Sequence, residues 1–315
     1  MRRETGQASI CVVIPVLNEE ETVGQVVMDL PPTVQGYPVV KLVVDNNSTD
    51  RSAEIAEKAG ARVVFENRRG KGAAMMRGVQ TVAADIYAFI DGDATYPARD
   101  LEKIVSPIIN GQAEMVVGSR LQGQIEKGSL TFLNRTGNRI VNWLLSKMMD
   151  TNMTDSLSGF RGIRKESLEG LVLFSGTFGI EIEMTVEAVA RGLRVMEIPI
   201  SYRKRVGSRS KLRPFSDGVL VLKNLLFLVM HAKPFYVFSR MALALIGASL
   251  VPIGYVLYEK LVYGEILHLP SVVLSTLLII SGILMLALGM LAELITDTRR
   301  RVEFLVKKLS GQRPQ

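Results

Sequence analysis

Two uncharged apolar stretches near the end of the chain, Met241 to Tyr258 and Ser271 to Ala292, limit its fold more than any other feature. Each approaches the roughly 20 apolar residues that carry a helix across the hydrocarbon of a bilayer. A buried core helix is the other reading of such a stretch. Two of them, joined by a short linker after a chain segment long enough to complete its own core, favour a transmembrane hairpin. Lys233 and Arg240 precede the first stretch, and Arg299, Arg300, Arg301, Lys307 and Lys308 follow the second. The linker offers Lys260 against Glu259 and Glu265. The excess of basic residues at both outer ends predicts a hairpin whose termini, and the large N-terminal domain with them, face the cytoplasm. Met1 to Ser9 is polar and carries no secretory signal pattern.

The remaining two thirds read as an ordinary soluble domain. Cys11, the single cysteine of 315 residues, rules out an intramolecular disulfide and reads as a buried structural thiol. A net charge of +7 raises the question of nucleic acid. The basic residues gather beside the apolar C-terminal part, which suits an anionic membrane surface better. Among the basic residues of 202–213, Tyr202 is the one aromatic available for stacking, so nucleic acid is not expected as a partner.

Alternating strand and helix signals predict a three-layer α/β domain with a largely parallel sheet. Strands are expected at Ile10 to Pro15, Val39 to Val44, Arg62 to Phe65, Ile86 to Ile90 and Met115 to Val117. Later strands are expected at Phe160 to Ile163 and Val195 to Ile200. Asn18 is expected to cap a helix with Glu19, Glu20 and Glu21 in its first turn. Further helices are expected at Gly72 to Ala84, Leu101 to Ile109 and Glu181 to Ala190. Leu130 to Met149 reads as an amphipathic helix, with Ile140, Trp143, Leu144, Met148 and Met149 apolar and Arg135, Arg139 and Lys147 basic. It either covers the sheet or lies on the membrane surface. Phe215 to Met230 reads as an interfacial helix. The resulting division is a domain over 1–213, an interfacial helix over 214–234, the hairpin over 235–297 and a basic tail over 298–315.

Ligands of open parallel sheets bind at the carboxyl ends of the strands. Three polar clusters fall there: Pro15 to Glu19, Asp45 to Ser48, and Asp91-Gly92-Asp93. The last is the most informative. Two carboxylates in one tight turn repel unless a cation lies between them, and Mg²⁺ or Mn²⁺ bridges such pairs to substrate phosphates. Arg68-Arg69-Gly70-Lys71-Gly72 brings cations and exposed amides to a helix start, a setting for a diphosphate. It is not a Walker A loop, because Gly72 replaces the Ser or Thr that such a loop needs. Tyr202 to Arg205, with Arg209, Lys211 and Arg213, reads either as a basic belt beside the membrane or as a site for a phosphate-bearing lipid head.

Together, Pro15 to Glu19, Asp45, Asp91-x-Asp93, Gly118-Ser119-Arg120, Ser158 to Arg161 and Arg205 to Lys211 resemble family 2 glycosyltransferases. The resemblance is strongest to the dolichyl- and polyprenyl-phosphate sugar synthases and covers about Ile10 to Arg213. It implies a nucleotide-diphospho-sugar (GT-A-type) fold with one divalent ion, and transfer from a nucleotide-diphosphate sugar to a polyprenyl or dolichyl phosphate. Pro15, Leu17, Glu19, Val43 and Asp45 match nucleotide positions, and Lys71 joins the donor set. Asp91, Gly92 and Asp93 match the metal and diphosphate positions. Arg120, Arg205 and Lys211 match basic residues around the donor and acceptor phosphates, and Arg135 is added to the lipid-phosphate set. Asp93, Arg205 and Lys211 carry catalysis on this reading. Asn46, Thr95 and Leu17 depart from the common pattern, where an aspartate, a glutamine and a tyrosine are frequent. Two other readings stay open: a transferase that extends a lipid-linked saccharide with Asp155 as base, and a silent nucleotide-sugar-binding scaffold. Gly247 with Gly254, and Gly282 with Gly289, have the spacing of a helix-packing face and leave a homo-oligomer open.

Overall fold

The computed structural model describes residues 9–130, 132–149, 151–173, 179–205, 227 and 229–310, side chains excepted at 132, 133, 300, 303, 304 and 307–310. Lys211, Arg209, Arg213 and most of the expected interfacial helix lie outside the described residues. The chain divides into two compact units, Met1–Leu226 and Phe227–Gln315.

In the first unit eight strands form one sheet: β1 (Ile10–Val16), β2 (Thr33–Val34), β3 (Tyr37–Asp45), β4 (Arg62–Phe65), β5 (Ile86–Phe89), β6 (Met115–Ser119), β7 (Arg161–Arg164) and β8 (Val195–Pro199). Their order is β2-β3-β1-β5-β7-β6-β8, with β4 also on β3. The pairs β1–β3, β1–β5, β3–β4 and β6–β8 are parallel. β7 runs antiparallel between β5 and β6.

Residues alternate across a strand, and β1 divides accordingly between two cores. Ile10, Val12, Ile14 and Val16 join the cluster with Val23, Val26 and Val27 of α1 (Val23–Asp29) and with Leu101, Ile104 and Ile108 of α4 (Leu101–Ile109). Cys11 and Val13 join the cluster with Ala74 and Met75 of α3 (Lys71–Thr81) and with Ile180, Met184 and Ala188 of α7 (Ile180–Ala190). With both faces covered, a parallel strand has to be apolar throughout, as Ile10–Val16 nearly is. Burial drives the Cys11 thiol up to about 12, an inert structural thiol.

The helix expected from Asn18 starts later, at Val23. Asn18 is left-handed (φ 52°) and its Oδ1 accepts the Thr49 amide at 2.7 Å instead of capping. Ser48 and Ser52 hydroxyls accept the amides of Asn18 and Glu19 at 3.0 and 2.8 Å, so this loop is tied to its neighbour rather than coiled into α1. The remaining helices of this unit are α2 (Ser52–Lys58), α5 (Phe132–Met149) and α6 (Lys165–Gly170). α5 buries Asn138, Val141, Asn142, Leu145 and Met149, while Ile140 and Trp143 are half-exposed or more. Of the apolar residues expected from sequence, Met149 therefore faces inward while Ile140 and Trp143 do not, and two buried asparagines take part in the inward stripe.

The second unit holds α8 (Pro234–Tyr263) and α9 (Leu269–Ser310), both long and apolar enough to span a membrane and largely exposed over their apolar windows. They pack closely at glycines. A Cβ on Gly282 would come within 2.6 Å of Ile246, and one on Gly289 within 2.8 Å of Phe238. Gly247 and Gly254 have nothing within 4 Å, so the second pair of the expected small-residue face is open.

Candidate active site

Strand direction decides which loops meet. β1, β3 and β5 end at Val16, Asp45 and Phe89, and Phe89 pairs with Arg161 at the start of antiparallel β7. Loops leaving β1, β3 and β5 therefore share one edge with the loop entering β7. The Gly118 amide donates to Phe160 O at 2.8 Å, and Ser119 pairs with Pro199, which adds the ends of β6 and β8 to that edge.

Two hydrogen-bond sets make this edge rigid. Thr22 Oγ1 donates to Gly92 O at 2.8 Å, joining the first loop to the Asp91–Asp93 turn. Asn46 Nδ2 donates to the carbonyls of Glu66 and Arg68 at 2.8 and 2.7 Å, while its Oδ1 accepts the Gly70 amide at 2.7 Å. An aspartate has no N–H for those two carbonyls. The departure at Asn46 is thus explained by a staple that fixes the loop leading into Lys71. Asp45 Oδ1 accepts the Ser48 amide at 2.7 Å.

Charged side chains converge next to the turn. The Lys71 ammonium bridges Asp91 and Glu181, the latter at 2.6 Å. Arg205 pairs with Glu19, and its Nη1 lies 3.6 Å from Asp93 Oδ2. Among the described residues, Arg205 Nε is buried without a hydrogen-bond partner. Thr95 donates to Asp93 Oδ1 through its hydroxyl at 2.6 Å and its amide at 3.2 Å, so it orients the carboxylate. Burial, then the Asp93 charge, push the Asp91 carboxyl up against the pull of Lys71. Burial acts the same way on Glu181, but Lys71 and Arg161 outweigh it and hold that carboxyl below its usual range.

A second group lies beside the first. Asp155 is fully buried and takes Arg120 in a fork, Nε at 2.8 Å and Nη2 at 2.7 Å, together with the Arg120 amide at 2.8 Å. Asn138 Nδ2 of α5 donates to the same carboxylate at 2.8 Å. The Arg120 guanidinium lies 5.3 Å above the Tyr202 ring, which meets Tyr96 edge-on at 5.2 Å. Tyr96 OH accepts the Gly159 amide at 2.9 Å. Arg161, fully buried, donates to the carbonyls of Ser156, Ser158 and Glu181, with Ser156 at 3.0 Å and Glu181 at 2.7 Å. It thereby fixes both the loop before β7 and the first turn of α7.

The structure thus brings together Glu19, Lys71, Asp91, Gly92, Asp93 and Arg205, with Arg120 held on Asp155. Pro15 and Leu17 stand at the end of β1, Leu17 exposed. The Val43 side chain lies wholly in the core, so it offers no side chain to a ligand. Arg135 is on the exposed side of α5. Sequence reading missed Glu181 and Tyr96 as site residues and had Arg161 only within the family motif. Tyr96 follows Asp91–Asp93 in the loop leaving β5, whereas Glu181 and Arg161 lie outside the parallel strand-end loops. The one signal for Glu181 was its place in a helix opening after a glycine, Gly179 at φ 103°.

Among the described residues no three or more His, Cys, Asp or Glu side chains form a metal cage. Asp91 and Asp93 nevertheless fit a hard divalent ion, which is commonly held by one or two carboxylates plus substrate phosphates. Among the described residues the direct ion pairs of the cluster join four carboxylates to two cations, Lys71 and Arg205, with Arg161 acting on Glu181 as a third, an excess of negative charge that suits a cation.

Gly159 closes this cluster from above. A Cβ there would collide with the Asp91 carboxylate and come within 2.9 Å of Lys71 Nζ. Gly159→Ala is expected to push this pair apart and to cost about 1–3 kcal/mol of stability, as overpacking does. Thermal unfolding of wild type and variant would check it, and equal melting points would show that the pair yields without cost.

The mixed sheet with charged groups at its strand ends has the GT-A type of fold, shared with a solved glycosyltransferase. Glucosyl-3-phosphoglycerate synthase of Mycobacterium tuberculosis, solved with Mn²⁺, uridine diphosphate and glucosyl-3-phosphoglycerate, matches it with a TM-score of 0.58 and 25% identity, over 71% of this chain and 80% of that one. The family model described as glycosyl transferase family 2 matches residues 11–172, and the chain belongs to that family. The glycosyltransferase AglJ of Haloferax volcanii is 35% identical over 93% of this chain and 95% of its own length. A dolichyl-phosphate hexose transferase of the same organism is 34% identical, over 69% and 92%. The dodecaprenyl-phosphate galacturonate synthase of Rhizobium johnstonii is 26% identical, over 93% and 89%.

Proposed function

We propose that this glycosyltransferase moves a sugar from a nucleotide-diphosphate sugar to a polyprenyl or dolichyl phosphate at the cytoplasmic face of a membrane. The observation that carries the acceptor assignment is the state of the cleft carboxylates. Glu19, Asp91, Asp93, Asp155 and Glu181 are each engaged by a cation or a hydrogen-bond donor. A hydroxyl acceptor needs a base to take its proton, whereas a lipid phosphate is already ionised at neutral pH. Asp155, the base of the saccharide-extending alternative, is buried in the Arg120 fork. The two apolar helices and the lipid-phosphate names of two relatives support the same acceptor.

The reaction is an in-line displacement. A phosphate oxygen of the lipid bonds to the anomeric carbon as the bond from that carbon to the diphosphate breaks, and the configuration inverts. Asp91 and Asp93 would hold a divalent ion, Mg²⁺ or Mn²⁺, which when bound would supply charge neutralisation to the leaving diphosphate. Lys71 and the amides opening α3 take up the diphosphate. Pro15, Leu17, Asp45 and Gly92 line the nucleotide end, together with the backbone at Val43. Arg205 receives the acceptor phosphate with Lys211 and Arg135. Catalysis then consists of placement and charge stabilisation. The basic flanks of the hairpin support an orientation with both termini in the cytoplasm, the catalytic domain being read as 1–213.

Full-length protein in detergent, given Mg²⁺ or Mn²⁺, a short polyprenyl phosphate and a panel of radiolabelled nucleotide-sugars, tests this. Label should pass into the organic phase from one donor, stop with chelator and resume with added ion. Label arriving only on a lipid-linked saccharide would replace the acceptor. Donor binding without any transfer would overturn the reading.

A further inference from the structure

Lys71 holds a position that its donor-binding role alone does not require. Its ammonium bonds directly to Asp91, one of the two carboxylates that fit the divalent ion, and to Glu181 at 2.6 Å on the far side. The side chain is 29% exposed, and the absence of a Cβ at Gly159 leaves the space beside its ammonium that a larger residue would take. Its backbone is fixed through the Asn46 staple on Gly70. The four-carbon stem is flexible and the ammonium is a point charge with three donors. The head is therefore able to change partners while its root stays in place.

We infer that Lys71 is an exchangeable counter-ion: it occupies Asp91 in the free enzyme, and releases it to the divalent ion as the ammonium turns to the incoming diphosphate. This rests on the donor and metal reading above. Burial penalises a carboxylate left without a cation, and Lys71 removes that penalty while the cleft is free of ion and donor. An ion arriving alone has to displace the ammonium and gives it no new anion. An ion arriving with a diphosphate does give it one. Ion and donor therefore favour each other's binding, and the coupling is reciprocal. Glu181 is the pivot, keeping one contact with Lys71 through the exchange.

Mn²⁺ binding to the full-length protein in detergent, followed by electron paramagnetic resonance without nucleotide, reads this directly. Lys71→Met removes the competing charge and is expected to bind Mn²⁺ at least about tenfold more tightly than wild type, the scale of one contacting charge in a partly screened site. Added uridine or guanosine diphosphate should tighten Mn²⁺ binding in wild type by a larger factor than in the variant. Lys71→Gln, which keeps a polar head, should repeat the result if the methionine variant folds poorly, as judged by its melting point. Unchanged or weaker Mn²⁺ binding in a folded Lys71 variant overturns the exchange. Asp93→Ala separates the two levels. Mn²⁺ binding unaffected by that change would remove the metal site itself, whereas its loss alongside an unaltered Lys71 variant would leave the site and reject only the exchange.

Discussion

Asp93→Ala is expected to lower sugar transfer by about three orders of magnitude or more, since metal-assisted charge stabilisation supplies several kcal/mol and each 1.4 kcal/mol is tenfold. Asp93 is held at both carboxylate oxygens. Its Oδ1 is oriented by Thr95 and its Oδ2 faces Arg205, so the alanine removes the proposed ion ligand and a partner of a cleft arginine together. Folding should be nearly unaffected, because the change relieves repulsion between Asp91 and Asp93 and leaves the core clusters intact. Asp93→Asn keeps the shape and removes the charge, and should fall as far. The check is transfer in the organic-phase assay beside thermal unfolding of the same preparation. Activity within tenfold of wild type in a stable Asp93→Ala protein would take Asp93 out of the site.

What was legible in the sequence follows physical range. The strand ends at Val16, Asp45 and Phe89 could be read because a strand buried on both faces must be an apolar run, and the polar residues that follow mark its carboxyl end. The Asp91–Asp93 pair was legible for the same reason. Glu181 was not. It reaches Lys71 because β7 inserts antiparallel beside β5 and Arg161 then fastens the start of α7 to the loop before β7. Nothing local encodes that insertion. Arg161 was read only as part of the family motif because an arginine normally belongs at a surface. Here it is fully buried and spends its donors on carbonyls. The inward face of α5 was misread for a related reason. Asn138 and Asn142 look like surface residues until Asp155 and Ser156 are known to face them.

Asp155→Ala should be among the most destabilising single changes in the catalytic domain. It leaves the buried Arg120 guanidinium without its counter-charge, and breaking a buried pair from one side costs about 3–5 kcal/mol. For a domain of this size that lowers the melting point by about 10 °C. Asp155→Asn keeps part of the hydrogen bonding and should fall between alanine and wild type. The pH dependence follows from the direction of the Asp155 shift. Burial acts to raise its carboxyl, but Arg120 and Asn138 outweigh burial and hold it below the usual range. A depressed folded-state value contributes stability that is fully present above the unfolded value of about 3.9 and is lost as pH falls through the folded one. The gap between wild type and Asp155→Ala should therefore be full at pH 7 and close only in strong acid. A proton-accepting role predicts a different pattern: Asp155→Asn would keep wild-type stability and lose turnover entirely. Melting curves of the full-length variants from pH 7 downward, with transfer measured on the folded fraction, distinguish a staple for Arg120 from a base for a hydroxyl acceptor.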